Sequence, residues 1–368
     1  MRIVPFEERH RAAVARFNGR LAQADAGHAF PPDPVSPTLP PGPGRKVYQE
    51  FFVAEDGDEV RGGYILKHQT YLADGVARPI CDYQLPISEG IIDPQYSLVG
   101  VQLLMHALAQ QPVMYGLGMG GLEYPLPKML RAVGWRLEPV PFYFRVLHPQ
   151  AFLGTRSLFV GRPRIARAAT VARRTGAGYV GLKSYQVATF ARRAGYLRSA
   201  RPSAVEVPDF DYWADEIWED ARSSYGFVCE RDLATLRILY PPEDGRFHRL
   251  LITAGGARIG WALVMTTPMS GHRQFGDMHV GSLIDGFCAP QHAEVVIAAA
   301  TRWLEGHDVD IIVSNQAHAA WVGALRGAGF LSGPSNFVFA ASKALAATIG
   351  PLGTCHVNRG DGDGPINL

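Results

Sequence analysis

The sequence predicts an α/β fold, of the α+β kind, in which one strand-and-helix unit occurs twice in tandem. The chain has 368 residues, 47% of them hydrophobic, and single cores rarely grow beyond about 250 residues, so two cores are expected. Strand-type and helix-type hydrophobic periods alternate along both halves. Related residue groups also recur at a nearly constant offset.

The internal repeat joins short motifs in the first half to motifs almost 200 residues later. The offsets are 197, 196 and 195 residues. A near-constant offset at corresponding structural positions indicates a tandem duplication. The matched pairs are Gly63 with Gly260, Glu89 with Asp285, and Leu130 with Leu325. The predicted organisation is domain 1 over 1–150, a basic linker over 151–203, domain 2 over 204–345, and a Gly/Asp-rich tail over 346–368 that is mobile unless it docks.

The first half sets out the order of elements. A short strand precedes a helix over 6–22, whose apolar residues Val14, Phe17 and Leu21 share one face. An Asp-Gly-Asp turn at 56–58 predicts a hairpin, and Gly134 ends the last helix. The predicted elements are the strand Arg2–Pro5, the hairpin Tyr48–Ala54 and Val60–Gln69, a strand over Asp82–Ile92, a helix over Val99–Gln110, a strand over Val113–Leu117, a helix over Pro125–Ala132 and strands over Arg136–Val146.

Composition limits the function classes. The formal net charge is +2, so charge over the whole molecule does not mark a nucleic-acid binder. No secretory signal and no run of about 18 apolar residues is visible, so a cytoplasmic protein is expected. Four widely separated cysteines without a CxxC pair argue against a zinc knuckle and for reduced thiols. No metal site is predicted.

The order of elements, found twice, resembles the GNAT acyltransferase superfamily, the GCN5-related N-acetyltransferases. The resemblance covers almost the whole chain outside the basic linker and the tail. It implies two domains, each with a mixed, mostly antiparallel sheet flanked by helices. It also implies acetyl-CoA or another acyl-CoA as the donor of an acyl group.

The turn after the fourth strand is where that superfamily holds the pyrophosphate of the coenzyme, at backbone amides and the positive end of a helix. The matching positions here are Ser97, Leu98, Val99, Gly100, Val101 and Gln102. The middle glycine of the family pattern is present, whereas its leading Arg and trailing Gly are not. In the second half the matching turn, 289–294, has no glycine and carries Glu294, whose charge opposes a pyrophosphate. The first half is therefore the predicted donor site.

Acid and base groups follow from the same resemblance. Glu89, near the middle of the predicted fourth strand, lies where many superfamily members place a general base, and Asp285 has the same candidacy in the second half. The alternative for Glu89 is a half-buried carboxylate that fixes the turn at Gly90. The tyrosine that usually protonates the leaving thiolate is replaced by Leu130 and Leu325.

The acceptor is expected close to these groups. The glycine-rich run 116–121 satisfies G-x-G-x-x-G, but prolines interrupt the following helix and no βαβ array surrounds it, so we reject a dinucleotide fingerprint. The glycines instead allow close approach of a ligand or a packed helix. Trp321, near the equivalent strand end of the second half, is a candidate to stack on a sugar, and the alternative for it is plain helix-to-sheet packing. The candidate acceptor residues are Tyr83, Ser88, Gly118, Met119, Asn315, Gln316 and Trp321.

The basic block widens the range of functions. Residues 156–201 contain ten arginines and Lys183, and no carboxylate occurs between Glu138 and Glu206. Such a block is either a solvated connector whose arginines pair with neighbouring carboxylates, or a surface for an anionic partner. Fem-type transferases, also tandem GNAT units, use an aminoacyl-tRNA donor that would suit it. The runs VRGGYILK, PISEGIID, LGMGG and VPFYFRV are similar to GNAT-like proteins of bacterial polysaccharide assembly, which implies an amino sugar or glycan acceptor. A non-catalytic assembly or ligand-sensing protein is the third alternative.

Overall fold

The computed structural model describes residues 1–31, 39, 40, 42, 44–155, 163–200 and 202–362. The chain forms two compact units. Unit 1 comprises 1–139 and 336–350, and unit 2 comprises 140–335 and 351–368.

Strands and helices alternate through both units, as the sequence periods predict. The strands are β1 (Arg2–Pro5), β2 (Tyr48–Asp56), β3 (Glu59–Ala73), β4 (Val76–Ser88), β5 (Met114–Met119), β6 (Arg136–Pro139), β7 (Phe142–Val146), β8 (Ser203–Val207), β9 (Phe227–Cys229), β10 (His248–Ala254), β11 (Ala257–Pro268), β12 (His279–Cys288), β13 (Ile311–Asn315), β14 (Leu331–Gly333), β15 (Phe337–Ala341) and β16 (Cys355–His356). The helices are α1 (Arg11–Gln23), α2 (Val99–Gln110), α3 (Pro125–Ala132), α4 (Pro149–Gly154), α5 (Pro163–Arg174), α6 (Ala177–Ala200), α7 (Trp213–Ala221), α8 (Leu233–Leu239), α9 (Ala293–Glu305), α10 (Ala319–Gly327) and α11 (Lys343–Ala346).

The sheet of unit 1 has the strand order β1-β2-β3-β4-β5-β15-β6. All neighbours are antiparallel except β4 and β5, which run parallel. Leu103 and Leu104 of α2 and Leu130 of α3 pack with Tyr64 and Leu66 in one core cluster. A second cluster buries Val14, Phe17 and Leu21 of α1 with Phe51 and Val53. The apolar faces predicted for these helices therefore do form the cores, through removal of apolar area from water.

The sheet of unit 2 repeats this order as β8-β10-β11-β12-β13-β7-β14. Its one parallel pair is again the fourth with the fifth strand, β12 with β13. Strands β9 and β16 form a short parallel pair that lies off this strand order. The predicted fold class, two mixed sheets flanked by helices in tandem, is confirmed.

The two sheets exchange one strand each. The sixth position of the unit 1 sheet is filled by β15, from the second half of the sequence, and that of the unit 2 sheet by β7, from the first half. The units therefore differ from the contiguous domains 1–150 and 204–345 predicted from the repeat. A repeat in sequence fixes the order of strands but not which copy of the sheet each strand joins.

The repeat itself is visible at the ends of the two equivalent helices. The N–H of Trp135 donates to Leu130 O at 3.0 Å, as that of Phe330 does to Leu325 O, also at 3.0 Å. The residues between them, Gly134 and Gly329, have φ angles of +86° and +80°. This is the Schellman type of helix end, in which a left-handed glycine satisfies the last carbonyl groups.

The predicted end of the fourth strand was wrong. The fourth strand ends at Ser88, so Glu89 lies just after it, in a 3₁₀ turn over Glu89–Ile91, and not near its middle. The tail docks over residues 355–362, most of which are buried in unit 2, which is the condition that the sequence analysis set against mobility. The last tail residues, 363–368, lie outside the described residues. Within the described ranges, no helix is both long and apolar enough to cross a bilayer.

Candidate functional site

In unit 1 the strands β4 and β5 separate after a short contact. Their ladder consists of two residue pairs, Cys81 with Met114 and Asp82 with Tyr115. Beyond it β4 runs on to Ser88 along β3, with an irregular register where Leu85 has a φ of +45°. The separation therefore begins at Tyr83 and leaves the following part of β4 without β5 as a neighbour.

The predicted donor turn leads into α2 beside this separation. Helix α2 begins at Val99, has no side-chain cap at Leu98 and has no acidic residue in its first turn. The first amides of a helix have no partner within the helix, and its N-terminus carries a partial positive charge. The side chains of Leu98 (69% exposed), Val101 and Met105 are open to solvent. An uncapped, electropositive helix end with exposed apolar neighbours is thus present at the predicted turn.

Two glycines lie where this turn contacts the residues at the start of α2. A Cβ on Gly90 would come within 2.6 Å of Tyr96 O and 2.9 Å of Ser97 Cα. A Cβ on Gly100 would lie 3.4 Å from Ser88 Oγ. The turn after β4 therefore packs directly on the start of α2, and Gly90 is required by this contact.

The carboxylate of Glu89 is buried in an ion-pair network. Its oxygens accept hydrogen bonds from Arg20 Nε at 2.6 Å and from Arg61 Nη1 at 3.0 Å. Arg20 also donates to Glu59 at 2.8 Å, and Arg61 stacks on Tyr96 at 4.5 Å from the ring centroid. The side chain ties α1, β3 and the turn together, which agrees with the structural alternative for this residue.

Tyr83 lies buried where β4 and β5 part. Its hydroxyl has no hydrogen-bond partner among the described residues, and burial raises the pKa of its phenol well above the ordinary value. Its ring lies 5.3 Å from that of Tyr64, whose hydroxyl contacts His106 Nδ1 at 2.7 Å. A buried hydroxyl without a partner is rare in proteins and marks a place where a ligand group could bind.

The other unit 1 acceptor candidates lie near the same strands. Ser88 is the last residue of β4 and is buried. Gly118 and Met119 end β5 with φ angles of +102° and +63° and pair with β15. The glycine run is thus an irregular strand end and not the start of a nucleotide-binding helix, in agreement with its rejection from the sequence.

Asp285 of unit 2 has a different environment. It lies within β12, opposite Leu263, and is fully buried. It accepts hydrogen bonds from Arg231 Nε at 3.1 Å, Tyr240 Oη at 2.8 Å and Asn358 Nδ2 at 2.7 Å. Burial opposes its charge, but the Arg231 guanidinium and the hydrogen bonds from Arg231 and Asn358 together outweigh this and lower the pKa of Asp285.

A second carboxylate, Asp361, joins this buried cluster. Arg231 Nη2 donates to it at 2.9 Å, and burial raises the pKa of the Asp361 carboxyl, with Arg231 opposing. Nearby His356 donates through Nε2 to Gly286 O at 2.9 Å, and burial lowers its pKa to about 3. With a neutral imidazole at His356 and a guanidinium at Arg231 that is shared by Asp285 and Asp361, this cluster is a buried polar core with a structural role.

The chain's own C-terminal segment bridges the separated strands of unit 2. We call residues 355–361 the C-terminal strap. His356 and Asn358 bind Gly286 and Asp285 of β12. On the other side, the strap pairs with the residues that follow β13, since Val357 O accepts from Ala317 N at 2.9 Å and Asn358 forms a bridge with Gln316.

The unit 2 acceptor candidates are held by this packing. Asn315 accepts from Arg359 Nε at 3.1 Å, and Gln316 is buried. The indole of Trp321 is fully buried and donates to Tyr225 Oη at 2.9 Å, so its ring is closed to a sugar in this structure. Sequence reasoning missed the strap residues and Arg231, because the pairing of residues 231, 285 and 361 depends on tertiary structure.

Other sequence-based expectations concern groups outside these sites. All four cysteines, Cys81, Cys229, Cys288 and Cys355, are free and buried. Over the described residues, no cluster of His, Cys, Asp and Glu has the geometry of a metal site. In the basic block, Arg156, Arg162 and Arg201 lie outside the described residues.

Comparison with known proteins supports the fold. No protein-family model matches the sequence, and no curated protein matches it. A GCN5-related N-acetyltransferase from Anabaena variabilis superposes with a TM-score of 0.52 at 11% identity, over 92% of this chain and 72% of that protein. A probable N-acyltransferase from Enterococcus faecalis gives 0.48 at 11% identity (94% and 72% covered), and a tandem GNAT protein of the clavulanic acid pathway gives 0.49 at 14% (92% and 97% covered). Of these three, the first reaches 0.5, and it bears on the fold alone. The chain has the GNAT fold.

Proposed function

We propose that this protein transfers an acyl group from acetyl-CoA or another acyl-CoA to an amine, and that unit 1 binds the donor. The observation that carries the proposal is the separation of β4 from β5 beside the uncapped N-terminus of α2. In this role the first amides of α2 donate to the pyrophosphate. The free edge of β4 pairs with the extended arm of the coenzyme as an added strand would.

Unit 2 does not bind the donor in this proposal. Its helix α9 carries Glu294 in the first turn, which opposes an anion there. The C-terminal strap already bonds to both separated strands. Both features favour a single donor site, in unit 1.

The chemistry requires a neutral amine and a proton for the departing thiolate. Glu89 remains the candidate base, and taking a proton would displace one of its guanidinium bonds. The buried hydroxyl of Tyr83 supplies a donor that Leu130 lacks. An amino sugar or glycan precursor is the acceptor class we propose, from the sequence resemblance, and a panel of amino sugars with a free-thiol assay for released coenzyme A tests it.

Calorimetry with acetyl-CoA tests the donor site. We expect the wild-type chain to bind and Val101→Glu to weaken binding about tenfold or more, because a carboxylate then stands in the first turn of α2 beside the pyrophosphate. Val101→Gln, of similar size, is the matched control and should retain affinity. Absence of binding by the wild type, or equal binding by both variants, would overturn the proposed site.

One observation favours a non-catalytic alternative. Leu130 and Leu325, at the positions of the usual tyrosine, are both fully buried core residues. A ligand-sensing protein would bind acetyl-CoA without releasing coenzyme A in the presence of any amine of the panel. Thermal stabilisation by uncharged tRNA and not by either coenzyme would instead support the Fem-type reading.

A further inference from the structure

Helices α5 and α6 carry a surface that lies outside the proposed donor site. One side of α6 is docked within unit 2. Gln186 Nε2 donates to Val146 O at 2.7 Å and to Leu147 O at 3.3 Å, and Thr189 packs so close to Gly329 that a Cβ there would lie 2.9 Å away. The orientation of α6 is therefore fixed, and its opposite side faces solvent.

The solvent side of this helix pair exposes aliphatic side chains. Val180 and Val187 are seven residues apart, so they lie on one side of α6, and they are 62% and 67% exposed. Val171 of α5 is 60% exposed, and Tyr179 is also exposed. We call these four residues the apolar part of the α5–α6 surface. Several strongly exposed apolar side chains on two adjacent helices favour an interaction site here.

Positively charged side chains lie on the same two helices as the apolar part. Arg167, Arg173 and Arg174 are exposed and Lys183 is half-buried, and within the described part of the chain no carboxylate forms an ion pair with these four. They are the basic part of the α5–α6 surface. The sequence adds seven more arginines over 156–201 and has no carboxylate from 139 to 205. The connector alternative, in which the arginines pair with neighbouring carboxylates, thus has no ion pair to support it at these four cations, although Lys183 lines a cavity together with Glu305 and Asp308.

We propose that the α5–α6 surface docks this protein on an anionic lipid bilayer. Basic residues near such a surface are attracted by its negative potential, while aliphatic and tyrosine side chains enter the headgroup region. RNA is the competing polyanion, but proteins bind its bases mainly by aromatic and arginine stacking, and exposed valines add nothing to phosphate contacts. The three valines thus favour the bilayer.

Sedimentation of the full chain with lipid vesicles tests this docking. We expect binding to vesicles of phosphatidylcholine mixed with phosphatidylserine, no binding to phosphatidylcholine alone, and weakening by added salt. The triple variant Arg167→Gln, Arg173→Gln, Arg174→Gln should bind about fivefold more weakly per arginine removed. Val180→Ser with Val187→Ser should weaken binding severalfold at unchanged charge.

Matched control variants test whether the loss of vesicle binding is specific to the α5–α6 surface or follows from any loss of positive charge or apolar side chains. Arg273 and Arg302 are exposed arginines, and Val76 and Val205 are exposed valines, elsewhere on the described chain. Arg273→Gln with Arg302→Gln, and Val76→Ser with Val205→Ser, should bind vesicles like the wild type. Thermal melting confirms that each variant is folded. Acetyl-CoA affinity should be equal in all of them, so this proposal and the proposed function fail independently.

Three results would overturn the proposal. One is the absence of binding to anionic vesicles, and another is equal binding to neutral ones. The third is loss of binding in the arginine variant with no change in the valine variant, accompanied by arginine-dependent binding of a single-stranded RNA. That pattern would assign the surface to RNA.

Discussion

Tyr83 and Asp285 occupy the same register position in the two sheets. Tyr83 lies opposite Leu66 and Asp285 opposite Leu263, and these two leucines are 197 residues apart, the offset that also joins Gly63 to Gly260. Both positions lie where the parallel pair of strands ends. The sequence match of Glu89 with Asp285 is therefore wrong as a structural equivalence. Each fourth strand has one more residue than the third strand opposite it, as in a β-bulge. This extra residue lies near Leu85 in β4 but near Ile284 in β12.

The two positions differ in how their polar groups are satisfied. Asp285 is bonded by Arg231, Tyr240 and Asn358 of its own unit. Tyr83 has a buried hydroxyl with no such partner in the described chain. In unit 2, Asn358 of the C-terminal strap and its neighbours thus satisfy the polar group at this position. In unit 1, the hydroxyl at the same position keeps its capacity to form a hydrogen bond.

Removal of the Tyr83 hydroxyl should affect ligand binding more than folding. Because the hydroxyl is buried without a partner, we expect Tyr83→Phe to leave the free energy of unfolding unchanged or to raise it by about 1 kcal/mol. Affinity for acetyl-CoA or turnover should fall, since the hydroxyl is then missing from the donor site. Denaturant unfolding and calorimetry on the same sample measure both. A clear loss of stability with unchanged affinity and turnover would show a purely structural role.

Loss of the Asp285 charge should have the opposite effect. Asp285→Asn leaves the buried Arg231 with Asp361 alone, and breaking a buried ion pair costs about 3 kcal/mol or more. The control is Asp244→Asn, which removes a more exposed pair with Arg246 and should cost less than about 1 kcal/mol. Urea unfolding at neutral pH measures both. Similar small losses for the two variants would contradict the structural role of the cluster.

His356 should make stability depend on pH. Its pKa is lowered to about 3 by burial, while the unfolded chain has a value of about 6.5. Between these values the unfolded state binds the extra proton, so stability is retained above about pH 6.5 and is lost as pH falls, by up to about 1.4 kcal/mol per pH unit. Unfolding of His356→Gln should therefore show a flatter profile from pH 6.5 downward. The exposed His28→Gln should follow the wild type, and identical profiles for all three would refute the assignment.

The features predicted correctly from the sequence depend on residues close together in the chain, and the features that were missed depend on contacts between distant residues. Periodicity found α2 and α3 with the bounds that the structure has, because amphipathic spacing is a local property. The donor turn at 97–102, taken from the resemblance, stays a prediction, whereas Gly134 and Gly329 marked equivalent helix ends. The pairing of Glu89 with Arg20, the exchange of β7 and β15, and the strap on Asp285 were not predicted. Each joins residues far apart in sequence, and no local pattern records such pairings.

Glu89→Gln separates the structural from the catalytic role of the unit 1 carboxylate. We expect the variant to lose about 2 kcal/mol of unfolding free energy, because Arg20 and Arg61 lose a buried anionic partner. If Glu89 is the base, turnover of the folded protein should also fall more than tenfold. Glu59→Gln is the matched control, since Glu59 also binds Arg20 but is more exposed, and it should cost less than about 1 kcal/mol and leave turnover intact. Coenzyme A release, measured below the melting temperature of each variant, decides between the roles, and unchanged turnover in Glu89→Gln would leave this carboxylate with the structural one alone.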